Sequence, residues 1–454
     1  LYNEKGNLKE KEPFCLRTNK LQTMERNALY SDLNEGIKSH SMAKSHKNTR
    51  QCDLLIAGGA AVGLTLAIAL KQAAPELKIN IVDAAPQEEI PVSNIRALAL
   101  AAASIRMLKQ LQCWEHIAPH AQPIHSMIIT DAYTNDPVKP TLLTFEGDIT
   151  PNEPFATMVE QKKLLNALKK RAKDLELPFI ANMRIVDFHH EDQHTTVTLS
   201  NEETWQTKLL IAADGAHSKL REKAGLKKFS HPYPQTAIIC TVEHEKPHHG
   251  QAIQHFLPAG PFALLPLKGN RSAIVWNEDH KTAQYYLKAD ALIFETEIEK
   301  RIGHRYGKLS WNGERQGFPL HLSLTRECIK PRFALVGDAA HTIHPLAGQG
   351  LNLGLRDSAA LAEVIIETAR LGLDIGSLTT LERYQSWRRF EIVRMALSND
   401  WLNKLFSNDN FLLRMLRDTG LGIVNQTPKV KKYFIQEAAG LTPNAPRLLH
   451  GLPL

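Results

Sequence analysis

One stretch near the start of the chain restricts the fold more than any other. It reads Asp53-Leu-Leu-Ile-Ala57, then Gly58-Gly-Ala-Ala-Val-Gly63, then Leu64-Thr-Leu-Ala-Ile-Ala-Leu70. The first apolar run has the length of a strand, the glycines mark a tight turn, and the last run has the look of an apolar helix. After a break at Pro75 comes a second strand-like run, Lys78-Ile-Asn-Ile-Val-Asp83. Strand, glycine turn, helix and strand in that order make a parallel βαβ unit, which places the chain in the α/β class.

Within that unit, Gly58-x-Ala60-x-x-Gly63 sits where a dinucleotide fingerprint belongs. The first glycine makes the turn, the middle position lets the backbone approach a pyrophosphate, and the last permits close helix–strand contact. The helix N-terminus offers unpaired N–H groups to the phosphates. Asp83 lies 20 residues past Gly63 at the end of the next strand, placed for a ribose hydroxyl pair. Ala60 departs from the usual glycine, and its methyl crowds the pyrophosphate position. Glycines between a strand and a helix also occur for purely steric reasons. The fingerprint by itself does not separate FAD from NAD.

Two further segments decide between them. Leu209-Leu-Ile-Ala-Ala-Asp214-Gly215-Ala-His-Ser218-Lys-Leu-Arg221 is an apolar strand ending in Asp-Gly. Arg332-Phe-Ala-Leu-Val-Gly337-Asp338-Ala-Ala-His341 is another, ending in Gly-Asp. It runs on through Thr342-Ile-His-Pro345-Leu-Ala-Gly348-Gln349-Gly350-Leu-Asn352-Leu-Gly354-Leu-Arg-Asp357. A carboxylate at the C-terminal edge of a parallel strand can accept hydrogen bonds from a sugar alcohol. A glycine-rich turn opening a helix offers N–H groups and a positive dipole to a partly anionic group such as the edge of a reduced flavin.

In this order and spacing, the three segments resemble the group A FAD-dependent aromatic hydroxylases, and among these the ubiquinone-biosynthesis hydroxylases. The resemblance covers about residues 51–445 and is most specific from Gly337 to Asp357. Thr342-Ile-His-Pro-Leu346 resembles the branch acting on 2-polyprenyl-6-methoxyphenol. The resemblance implies that Gly58, Ala60, Gly63 and Asp83 hold the ADP half of FAD, although glutamate is common at the Asp83 position. It implies that Arg96, in Asn94-Ile-Arg-Ala-Leu98, and Gln161 contact the cofactor, where either is otherwise an ordinary surface residue. Asp214 and Gly215 match the motif linked to both FAD and the nicotinamide. Asp338 would bind the ribityl chain, its alternative being a helix N-cap. Gly348, Gln349, Gly350, Leu351 and Asn352 would face the flavin ring.

The implied reaction uses NAD(P)H as co-substrate to reduce FAD. Oxygen then gives a C4a-hydroperoxyflavin, which hydroxylates the ring of a polyprenylated phenol. The resemblance requires no nucleophilic Ser or Cys, and no catalytic residue is assigned. His344 and Pro345 are the flavin-facing candidates, with a backbone carbonyl near Pro345 as a further source of substrate activation. No second glycine fingerprint serves the nicotinamide. His341 with His344, His189 with His190, and His248 with His249 lack the Cys or carboxylate spacing of a metal site, so no metal is expected.

The chain has 454 residues, enough for two or three structural units, and 43% of them are hydrophobic, as in ordinary globular proteins. Ten Lys/Arg and six Asp/Glu fall in residues 1–50, which leaves only +3 of the +7 net charge for the rest. A nucleic-acid partner is therefore not expected. Five scattered cysteines without a C-x-x-C pair fit a reducing compartment. No run is long and apolar enough to predict a membrane span. The expected location is cytoplasmic, with peripheral contact on the inner membrane, because a polyprenylated substrate lives in lipid. Apolar residues at helical spacing between Leu381 and Leu441, as in Trp401-Leu-Asn-Lys-Leu-Phe406 and Phe411-Leu-Leu-Arg-Met-Leu416, suit a lipid surface, another ubiquinone-synthesis protein, or packing on the chain's own body.

The expected architecture is a Rossmann-like FAD-binding domain, a smaller mixed antiparallel-sheet substrate domain and a helical C-terminal region. Residues 1–50 read as a disordered leader: an expression remnant, a targeting extension or a mis-assigned start. The FAD-binding domain is expected in three parts, 51–124, 155–230 and 315–380. Substrate-domain segments are expected at 125–154 and 231–314, and the helical region at 381–454. Residues Ala97 to Gln112 read as a helix-like segment. Three alternatives stay open: a hydroxylase of a small soluble phenol, a relative with the same flavin fold that reduces prenyl double bonds, and a non-catalytic FAD-binding scaffold.

Overall fold

The computed structural model describes residues 49–86, 95–131, 141–146, 148–345, 348–406 and 427–454. The 1–48 portion of the expected leader and the Phe411–Leu416 stretch lie outside the described residues. Residues 50–454 form one unit.

The βαβ unit forms as the pattern predicts. Strand Arg50–Ala57 leads into helix α1 (Ala61–Ala73), and strand Ile79–Val82 pairs parallel with the first strand. Leu54, Leu55 and Ile56 are fully buried, because a parallel strand is covered on both faces and reads as a continuous apolar run. The strands run in the order Ile329–Lys330, Phe333–Leu335, Thr204–Ala212, Arg50–Ala57, Ile79–Val82 and Phe179–Ile180, with an antiparallel pair, Ile185–His190 and Thr195–Leu199, added beside Thr204–Ala212. Sequence-distant segments thus become neighbours. Helices α2 (Gln161–Asp174) and α3 (Gln349–Arg370) both pack against α1.

A second eight-stranded sheet contains the long strands Lys228–His244 and Leu309–Thr325, then Arg271–Asp279, Gly260–Leu267, Gln251–Leu257, Ser126–Asp131 and Thr141–Glu146. It is antiparallel except where Gln251–Leu257 runs parallel to Ser126–Asp131. Both of its faces are covered. Ile238, Cys240 and Val242 point into a core shared with Trp276 and with helices His280–Lys288 and Ala291–Ile302. Ala237 and Tyr233 belong to a different core, shared with Ile343, Leu353 and Ala396. The two helices fall within the 231–314 segment, where only sheet is expected from the sequence. Asp279 starts the first of them by accepting the N–H groups of Lys281 and Thr282 at 3.0 Å.

Ala97–Gln112 is not one helix. Ala97–Ala101 is a strand paired antiparallel with Ala156–Glu160, and the helix runs from Ala102 to Gln110. Alanine and leucine favour a helix locally, but pairing with a partner strand overrides that weak preference.

Helices α4 (Leu378–Phe406) and α5 (Pro428–Ala439) complete the C-terminal part, where α4 packs along α3. Leu381, Tyr384, Arg388, Ala396 and Asn399 form its buried face. Phe390, Val393, Leu397 and Trp401 form an exposed one, with Phe390 at 76% and Trp401 at 63%. Among the described residues, no helix is long and apolar enough to cross a membrane.

Candidate active site

Parallel register brings three turns to one edge of the first sheet. Ala57 lies opposite Ala212, and Ala212 opposite Leu335. Ala213 N–H donates to Ala57 O at 2.7 Å and Val336 N–H to Ala212 O at 3.0 Å. Gly58, Asp214 and Asp338 therefore leave the C-terminal ends of adjacent strands together, the edge at which open α/β sheets bind ligands.

Two fingerprint glycines are required by space. Gly58 has φ +113°, and a Cβ there would lie 2.3 Å from Ala213 O. A Cβ on Gly63 would lie 2.0 Å from Gly58 O, so only glycine lets α1 sit this close to its strand. Ala60 is exposed at the N-cap of α1, and no side chain caps the helix. The first-turn N–H groups thus remain available to an anion. Asp83 ties back to this turn: Gly59 N–H donates to its Oδ2 and Ala85 N–H to its Oδ1 at 2.7 Å. Each carboxylate oxygen keeps a lone pair for a ribose hydroxyl.

Val62, an unassigned position inside the fingerprint, joins the first motif to the last. A Cβ on Gly337 would lie 3.2 Å from its side chain, and one on Gly354 would lie 2.8 Å from it. Ser358 Oγ donates to Val62 O at 3.0 Å. The buried Arg221 performs the same service for the middle motif. Its guanidinium donates to Ala339 O at 2.8 Å and to Ala216 O at 3.3 Å, tying the Asp214 turn to the Asp338 turn. Ser218 caps the short helix that carries Arg221. Asp214 is open to solvent yet closely surrounded by protein, as on a crevice wall. Desolvation there pushes its carboxyl above the usual range, against a hydrogen bond from Ser218. Asp338 is exposed.

Arg96 and Gln161 meet at the end of the Ala97–Ala101 and Ala156–Glu160 ribbon, where Gln161 N–H donates to Arg96 O at 2.9 Å. The Arg96 guanidinium lies 5.6 Å from the centre of the Phe318 ring. Gln161 Oε1 is buried with no hydrogen-bond partner. Gly348, at φ +64°, is the N-cap of α3, which has no side-chain cap either. Gln349 and Gly350 open the helix, and Leu351 is half-buried. The Asn352 side chain is committed elsewhere. It accepts from Ala101 N–H at 2.9 Å and Ser104 Oγ at 2.8 Å, and donates to Ala99 O at 2.8 Å. The Asn352 side chain thus ties the head of α3 to the Ala97–Ala101 strand. Gly215 follows Asp214 at φ +84° with open space around it.

Behind the Asp338 turn lies a buried charge network that motif reading did not assign. Asp357 accepts Gly337 N–H at 2.9 Å, faces His341 Nε2 at 2.6 Å and accepts Arg388 Nε at 2.8 Å. Arg388 and Arg356 both bond Glu391. Burial opposes the charge on Asp357, but His341 and Arg388 outweigh it and hold the carboxyl below its ordinary value. Asp357 stood inside the most specific segment, but its partner Arg388 carries no motif.

His344 is 1% exposed, stacks edge-on against Tyr233, and neither ring nitrogen has a partner. Pro345 O accepts Gly348 N–H at 3.1 Å. The four described cysteines are buried and unpaired, and burial raises their thiols, to about 11 at Cys52 and about 12 at Cys113 and Cys328. None is a ready nucleophile. No group of three or more His, Cys, Asp or Glu able to hold a metal occurs among the described residues. The steric demand for Gly58 and Gly63, the two uncapped helix N-termini and the unpartnered Gln161 Oε1 together fit a bound dinucleotide.

Residues 51–395 match the family described as FAD binding domain. The chain is 37% identical over 408 residues to ubiquinone hydroxylase UbiL of Rhodospirillum rubrum, covering 88% of this chain and 93% of that protein. It is 31% identical over 401 residues to 3-demethoxyubiquinol 3-hydroxylase of Escherichia coli, covering 86% and 98%. Among solved structures, p-nitrophenol 4-monooxygenase PnpA of Pseudomonas putida shares the fold. Its TM-score is 0.71 at 18% identity, covering 86% of this chain and 99% of that one.

Proposed function

The chain belongs to the FAD-dependent aromatic hydroxylase family that includes the hydroxylases of ubiquinone biosynthesis, and from this we propose that it hydroxylates the ring of a polyprenylated phenol with NAD(P)H and O2. The observation that carries the proposal is the near full-length similarity to a ubiquinone hydroxylase. The convergence of the Gly58, Asp214 and Asp338 turns on one sheet edge agrees with it.

The chemistry that bound FAD supplies is hydride acceptance from NAD(P)H and activation of O2 toward an electron-rich ring carbon. The chain's own residues bind and orient. In this reading the N-terminus of α1 takes the pyrophosphate, and Asp83 takes the adenosine ribose. Asp338 takes the ribityl hydroxyls, and the N-terminus of α3 at Gly348–Gly350 stabilises negative charge on the ring edge. Gln161 Oε1 would accept the hydrogen bond it now lacks. Arg221 and Asp357 hold the Asp214 and Asp338 turns in register.

A prenyl chain is hydrocarbon, so its enzyme benefits from contact with lipid. The exposed Phe390, Val393, Leu397 and Trp401 face of α4 supports peripheral docking on a membrane or on another protein of the same biosynthesis.

The test is an absorption spectrum of the purified protein, then anaerobic NADPH with and without a prenylated phenol, then product analysis under 18O-labelled oxygen. Flavin that bleaches faster with the phenol and yields a ring carrying one labelled oxygen is the expected result. Stimulation by a soluble phenol alone would favour that substrate class, and bound flavin inert to NAD(P)H would favour a scaffold.

A further inference from the structure

His344 sits where the two sheets meet. It follows the short strand His341–Thr342, which pairs with Leu309–Thr325 at the edge of the second sheet, and it precedes Gly348 at the head of α3. Its ring is almost completely buried, yet Nδ1 and Nε2 both lack hydrogen-bond partners. Two residues back, Thr342 Oγ1 is also buried without a partner. Each such group costs about 1–3 kcal/mol if left dry, so native proteins keep few of them and tend to use those they keep.

The surroundings hold the ring without satisfying it. Tyr233 stands edge-on to it, with centroids 5.1 Å apart and planes at 86°. The Tyr233 hydroxyl is spent on Asp400 Oδ1 at 2.9 Å, and Asp400 is paired with Lys404 at 2.8 Å. A chain of contacts from α4 therefore fixes the orientation of the tyrosine, and the tyrosine fixes the imidazole. Ile343, Leu353 and Ala396 make the neighbourhood apolar. Burial pushes the imidazole down to about 4, against a weaker pull from Asp400, so near neutral pH the ring is uncharged.

A neutral imidazole offers one donor and one acceptor. In an apolar setting the matching ligand group is small and uncharged, and a single hydroxyl meets one of the two ring nitrogens, donating to the bare one or accepting from the protonated one. A phenolic hydroxyl has that character, whereas a carboxylate would have to be buried beside a neutral imidazole without a counter-charge. We propose that His344 is a specificity-determining residue whose imidazole takes the phenolic hydroxyl of the substrate and so fixes which ring carbon faces the flavin. The inference rests on the hydroxylase reading given above. A structural imidazole that merely binds water is the competing account.

The test uses the FAD-loaded full chain, with a phenol carrying a two-isoprene chain and its O-methyl ether, in which the hydroxyl hydrogen is replaced. Affinities are measured by calorimetric titration, and hydroxylated product per NAD(P)H by mass spectrometry. The wild type is expected to prefer the phenol, and His344→Phe is expected to reduce that preference about tenfold or more. The variant should retain FAD, raise KM more than it lowers kcat, and waste more NAD(P)H per product. His344→Leu supplies the same reading if the phenylalanine variant does not take up FAD. A phenol-to-ether ratio unchanged from wild type in a variant that binds FAD would overturn the proposal and leave the hydroxylase reading intact. A wild type indifferent to both compounds would overturn both.

Discussion

His341 Nε2 lies 2.6 Å from Asp357 Oδ2, and the same oxygen accepts the Gly337 N–H at 2.9 Å. One fully buried carboxylate thus holds both ends of the turn that presents Asp338, while Arg388 on α4 neutralises it from the other side. Replacing Asp357 with Asn leaves the buried Arg388 with only Glu391, a carboxylate it shares with Arg356. A loss of about 3–5 kcal/mol in urea unfolding is expected, with weaker FAD retention. The native carboxyl is held below its ordinary value of 3.8, so its stabilisation is complete above about pH 4 and disappears as the pH falls through the lowered value. The Asn variant should lack that acid-dependent part.

Gly58→Ala and Gly63→Ala place a Cβ within 2.3 Å and 2.0 Å of backbone oxygens. Moving Ala213 O distorts the neighbouring strand end, and moving Gly58 O separates α1 from its strand. Loss of FAD together with a fall in stability of at least about 2 kcal/mol is expected, read from the flavin-to-protein absorbance ratio and thermal melting.

Asp338 offers the opposite case. Its carboxylate is exposed, so Asp338→Ala should alter apoprotein stability by no more than about 0.5 kcal/mol. FAD affinity should still fall at least tenfold in fluorescence titration if the carboxylate holds the ribityl chain. Unchanged affinity would remove Asp338 from the proposed site.

His344 supplies a second pH signature. Its folded value of about 4 lies below the ordinary 6.5, so the unfolded chain binds a proton that the folded chain refuses. Stability is then lost as the pH falls from about 6.5 to about 4, by up to about 3 kcal/mol. His344→Phe should flatten that part of the urea-unfolding profile against pH.

For the exposed face of α4, Phe390→Glu combined with Trp401→Glu is expected to abolish co-sedimentation with anionic vesicles. FAD content and melting temperature should stay close to wild type, because both side chains are largely in solvent.

Local sequence determined the parts whose physics is local. The strand–turn–helix at Asp53–Leu70 follows from an apolar run, glycines that no other residue can replace, and a second apolar run; the structure has these elements in that order, with the strand extended to Arg50–Ala57 and the helix to Ala61–Ala73. The same holds for the Asp-Gly and Gly-Asp strand ends, whose family resemblance identified the cofactor. Ala97–Ala101 is a strand despite residues that favour a helix, because the partner strand that overrides this preference lies more than fifty residues away. The helices at 280–302 were hidden beside strands of similar apolar content.

Only the tertiary structure decided which distant residues share an environment. Val62 against Gly337 and Gly354, Arg221 bridging two turns, and Arg388 reaching Asp357 from a separate helix depend on how sheets and helices pack. So does the commitment of the Asn352 side chain to Ala99 and Ala101 rather than to a ligand. Sequence carries the backbone geometry of a binding turn because sterics act over a few residues. It does not carry the burial or the pairing of a charge, because both are set by atoms that arrive from elsewhere in the chain.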